Sequence, residues 1–111
     1  MTFSYIDNRG DFRMGLSNYR GAVNDIYSSC LVISHISEDE IQIEKDRYGG
    51  FKGQVLNIRD VVSFIVKYMK NNDVSLSEIL LIDMWGKSMG YNDLLLMLPR
   101  LDGYMYEEVP Y

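Results

Sequence analysis

Residues 57–71 limit what this chain can fold into more than any other stretch. Ile58, Val61, Val62, Ile65 and Met69 recur at helical spacing, and Phe64, Val66 and Tyr68 widen the apolar stripe. Asn57 is a good N-cap, Asp60 three residues on suits the positive end of the helix dipole, and Asn71-Asn72-Asp73 closes the segment. Arg59, Ser63, Lys67 and Lys70 supply the wetter side. A stripe that broad has to be buried, and a sheet is the natural surface to bury it.

Two stretches supply strands. Leu31, Ile33 and His35 alternate with Val32, Ser34 and Ile36, and Ile41 and Ile43 alternate with Gln42 and Glu44. Ser37-Glu38-Asp39-Glu40 lies between them, so residues 30–46 are expected as a hairpin with an acidic, exposed turn. Gly49-Gly50 and Gly53 mark a loop before the helix. Near the N-terminus, Phe3 and Tyr5, then Phe12, Met14 and Leu16, flank the turn-rich Asp7-Asn8-Arg9-Gly10-Asp11, which predicts a second hairpin. A short helix is expected over 17–29, weakened by Gly21.

The C-terminal third admits two readings. Ser75 and Glu78 form a capping-box pair and Gly86 punctuates the far end, which favours a helix over 76–85. The apolar run Ile79-Leu80-Leu81-Ile82 alone would equally suit a buried strand. Another short helix is expected over 93–98, stopped near Pro99. The expected fold is α+β: a small, mostly antiparallel sheet of two hairpins packed on a central amphipathic helix, with short C-terminal helices. The length predicts one globular domain over residues 1–111.

The inventory of reactive groups is thin. His35 and Cys30 are the only residues of their kind, although hydrolytic, transfer and metal chemistry draws heavily on both. Their odd separation along one strand puts them on opposite faces, which argues against a thiol–imidazole dyad. Gly86-Lys87-Ser88 ends like a phosphate-binding loop, but the first glycine of that motif would fall on Leu81. Ligand spacing for a metal is missing, so neither a cofactor nor a metal is expected. No apolar run reaches ~18 residues and no basic-then-apolar leader opens the chain, so a cytoplasmic protein without a membrane span is expected. A single cysteine suits a reducing compartment.

Charge points to the surface instead. The net charge is −5, unevenly spread: Glu38, Asp39, Glu40, Glu44 and Asp46 crowd residues 31–46, whereas residues 47–73 are basic. An acidic chain repels phosphate backbones at long range, which disfavours direct nucleic-acid or anionic-membrane binding. Nine tyrosines are many for this length, and Tyr104, Tyr106 and Tyr111 fall together in the tail with Glu107 and Glu108. Tyrosine provides rigid contact area with a hydroxyl handle, as binding surfaces require. The expected function is therefore a non-catalytic, inhibitor or immunity-type module covering a basic site on a larger partner, such as a nuclease. Glu38, Asp39 and Glu40 would steer it, and Tyr104, Tyr106 and Tyr111, with Glu107 and Glu108, would hold it. The alternatives are a homo-oligomeric accessory domain joined through residues 76–85 and 94–98, or a small enzyme built on Asp83 beside Trp85 and Tyr91.

Overall fold

The computed structural model describes residues 5–6, 12–13 and 19–97. The expected hairpin forms as β3 (Leu31–Ser37) and β4 (Glu40–Asp46), antiparallel and joined through Glu38-Asp39. Around it assembles a five-stranded sheet with β5 (Val55–Asn57) beside β4, β6 (Ile79–Ile82) beside β3, and β7 (Ser88–Met89) outermost. Every neighbouring pair is antiparallel except β3 and β6, which run parallel with Leu31 opposite Ile79 and Ser34 opposite Ile82. The fold is α+β, as expected.

Alternation along the strands loads both faces. Leu31, Ile33, Ile41, Ile43 and Leu81 enter one core, where they meet Val61, Val62, Ile65 and Met69 of helix α2 (Val61–Asn72). Leu94 of helix α3 (Tyr91–Met97) joins the same core. Val32 and Ile82 point the other way, toward Tyr19 and Ile26, the latter on helix α1 (Val23–Ser28).

The central helix begins where its cap predicts. The Asn57 side chain accepts from the Arg59 amide at 2.9 Å, and one 3₁₀ turn, Ile58–Asp60, leads into α2. The helix ends at Asp73, which takes the left-handed conformation (φ 52°) more usual for glycine and donates its amide to the Met69 carbonyl.

Residues 76–85 depart from the expected helix. The Glu78 carboxylate does accept the Ser75 amide at 2.8 Å, but the capped segment is a single 3₁₀ turn, Leu76–Glu78, and the chain then extends as β6. A strand flanked on both sides and covered on both faces reads as a continuous apolar run, just as a buried helix does. That burial covers Ile79, Leu81 and Ile82 of the stretch expected to join two copies, while Met84 and Trp85 stay exposed.

Other boundaries shift for local reasons. The helix expected over 17–29 is confined to Val23–Ser28, and Tyr19 to Ala22 are not helical. Gly21 lies so close to the Tyr19 phenol that a Cβ there would collide with it. α3 starts two residues before the expected Asp93, whose carboxylate accepts the Gly90 amide at 3.0 Å. The N-terminal hairpin forms as β1 (Tyr5–Ile6) against β2 (Phe12–Arg13), but as a two-stranded sheet of its own rather than as part of the larger one. Phe3, Met14, Leu16 and Leu98 lie outside the described residues. No helix among the described residues is long and apolar enough to cross a membrane.

Two predictions follow from this packing. Leu94 is 0 % exposed and Leu96, on the same helix, is 85 % exposed. In urea unfolding, Leu94→Ala is expected to cost about 2–5 kcal/mol, and Leu96→Ala to stay within about 0.5 kcal/mol of the parent. The second concerns alkali. Burial, then the charge and hydrogen bond of Asp25, push Tyr19 from 10.0 up to about 12, and burial followed by Asp46 raises Tyr68 as well. A folded-state value above the unfolded one gives stability that is complete below pH 10.0 and lost as pH climbs through about 12. Lys45, lowered from 10.5 mainly by burial, acts in the opposite sense up to that pH. Urea unfolding at pH 9 and about pH 11.5 should show a smaller alkaline loss in Tyr19→Phe than in the parent.

Candidate functional site

Because β3 and β6 are parallel, the segments that follow them emerge at one end of the sheet. The first is the acidic turn. Glu38, Asp39 and Glu40 are all exposed, and the only hydrogen bonds to their carboxylates among the described residues come from Ser37 Oγ, at 3.5 Å to Asp39 and 3.0 Å to Glu40. The turn is held from behind: the Ile58 amide donates to the Asp39 carbonyl at 2.8 Å, and Glu40 pairs with Asn57 of β5. His35 is buried beneath it, with Nε2 3.4 Å from the Glu38 carbonyl oxygen. Exposed Asp60 follows at the start of the helix, and exposed Ile36 gives the same end an apolar contact. The arrangement presents fixed negative charge to solvent. Glu44, grouped with these carboxylates by sequence, is instead fully buried in β4, so it adds nothing to that surface.

The second segment joins β6 to β7. Asp83 Oδ1 accepts the amides of Trp85 and Lys87, both at 2.9 Å, and the Asp83 amide donates to the Lys87 carbonyl at 2.8 Å. Gly86 sits at φ 83°, where a side chain would be strained, and its amide closes the turn on the Asp83 carbonyl. This frame holds Trp85 65 % exposed, next to exposed Met84. Gly86-Lys87-Ser88 is thus a hairpin turn entering β7, with no helix behind it to receive a phosphate. The neighbourhood expected for an Asp83 enzyme does not form. Its carboxylate is engaged by its own loop, and the indole faces solvent rather than covering it.

The opposite end of the sheet holds a different set of groups. Lys45 Nζ donates to the carbonyls of Ile26 and Tyr27, both at 2.9 Å, and Arg47 Nη2 donates to the latter at 3.4 Å. These cations close the C-terminus of α1, where the dipole is negative. Cys30 is buried here, 3.9 Å from both the Tyr48 hydroxyl and Glu78 Oε1, while the Tyr68 hydroxyl donates to the Cys30 carbonyl at 3.2 Å. Cys30 and His35 thus stand at opposite ends of β3, roughly 16 Å apart by strand rise, so distance as well as facing precludes a dyad. Among the described residues, no three His, Cys, Asp or Glu side chains come together as a metal site.

Tyr104, Tyr106, Glu107, Glu108 and Tyr111 lie outside the described residues, as does Arg9-Gly10-Asp11. Trp85 is the surface residue that sequence reading misses, because the helix expected over 76–85 puts it at a helix end. The usable signal was the pairing of Asp83 with Gly86, an acceptor and a left-handed position three residues apart. Trp85 is also the chain's single tryptophan. Its fluorescence anisotropy should fall in Asp83→Ala, which frees the loop, and stay near the parent value in Asp83→Asn, which keeps the acceptor oxygen. Compared with protein families, curated proteins and solved structures, the chain matches none.

Proposed function

We propose that this protein is a non-catalytic binding module of the inhibitor or immunity type, whose acidic end covers a basic site on a larger protein such as a nuclease. One observation carries the reading: three exposed carboxylates on a pinned turn share an end of the sheet with a braced, exposed tryptophan. Negative charge so placed accelerates encounter with a cationic surface. A rigid aromatic side chain beside it supplies the contact that, once buried, dominates affinity. Trp85 therefore joins Tyr104, Tyr106 and Tyr111, with Glu107 and Glu108, as a proposed anchor. The lone, buried thiol of Cys30 suits a cytoplasmic setting. Self-association through residues 76–85 and 94–98 is the runner-up, favoured by the exposure of Met84, Trp85 and Leu96, although singly exposed apolar residues are ordinary on a protein surface.

The test is a stopped-flow and calorimetric titration against a panel of basic nucleases, from low to high salt. Complex formation should inhibit the nuclease, and the association rate should fall at least about tenfold between 25 and 500 mM salt. Replacing Glu38, Asp39 and Glu40 together by Ser should slow association by about tenfold. Trp85→Ala should instead speed dissociation by about tenfold or more. Salt-insensitive binding, or a triple variant that associates at the parent rate, would reject the mechanism.

A further inference from the structure

The loop from β4 to β5 reads Arg47-Tyr48-Gly49-Gly50-Phe51-Lys52-Gly53, two aromatic rings bracketed by two cations on a glycine-rich backbone. It is a fixed surface. The buried Asp46 carboxylate accepts the amides of Tyr48, Gly49 and Phe51 at 3.1, 2.9 and 3.2 Å, which holds the loop. Tyr48 is 53 % exposed and Phe51 41 % exposed. Phe51 meets Phe64 of α2 edge-on, at 5.1 Å between ring centroids, which brings exposed Lys67, one helical turn further on, to the margin of the loop. Arg47 is exposed at the other margin, beside half-exposed Tyr27.

We propose that this loop, with Lys67, binds single-stranded nucleic acid. Exposed rings offer stacking faces that any unpaired base can use, and the flanking cations meet the phosphates. A duplex keeps its bases stacked on one another, so it would gain from the cations alone. The long-range repulsion expected from the overall charge does not forbid this. The acidic turn is at the far end of β4, a strand of seven residues and hence about 20 Å long, roughly twice the screening length in physiological salt. The inference is independent of the proposed role of that acidic end.

The probe is fluorescein-labelled dT15, titrated with the full chain from 20 to 200 mM salt and read by anisotropy. Saturable binding is expected, with an affinity that falls with salt at a log–log slope of about −2, the value for three phosphate contacts through Arg47, Lys52 and Lys67. Tyr48→Ala should weaken it by about tenfold. Lys67→Glu, at an exposed helix position, should weaken it by about tenfold while the melting temperature stays unchanged. The duplex dT15·dA15 should bind at least about tenfold more weakly. No binding at 20 mM salt, indifference to Tyr48→Ala, or equal competition by a 15-residue polyglutamate peptide would overturn the proposal.

Discussion

The parallel pairing of β3 with β6 is the contact on which the rest of this architecture depends. It ties two strands 48 residues apart, Leu31 to Ile79 and onward, so the segment between them must cross the sheet and return. That segment contains α2, and its crossing lays the broad apolar stripe onto Leu31, Ile33, Ile41 and Ile43. The same pairing sorts the surface. Turns that follow β3 and β6 are brought to one end, where the acidic residues and Trp85 lie, while the Arg47–Gly53 loop is left at the other.

What could be read from the sequence follows from how local each signal is. The helix over 57–71 carries its own cap, dipole preference and periodicity, and it forms within a residue or two of its expected limits. The β3–β4 hairpin is equally self-contained, because its alternation and its polar turn agree. Residues 76–85 are different. The capping pair of Ser75 and Glu78 is real, yet it governs only one turn, and the choice between helix and strand for Ile79–Ile82 rests with β3 on one side and β7 on the other. Composition cannot supply that information.

The same distinction separates the readable parts of the candidate surface from the rest. Glu38, Asp39 and Glu40 were legible because a polar turn between two alternating strands is necessarily exposed. Trp85 was hidden by the misassigned helix. Glu44 was misleading because an irregularity in the ladder places it in the interior, and alternation read along one strand does not anticipate such a break.

Ile33 faces Ile43, but Val32 faces Lys45, so Glu44 is an extra residue in β4. Past it, the pleat is offset by one. Lys45 turns toward α1 and closes its carbonyls, while Asp46 turns toward Tyr68 and the loop amides. Glu44 therefore acts as a spacer that sets the facing of the two charges: flattened into the ladder, it would send the ammonium beneath α2 and the carboxylate against the negative end of α1, whereas cut out of the chain it would leave Lys45 opposite Val32 and Asp46 opposite Leu31.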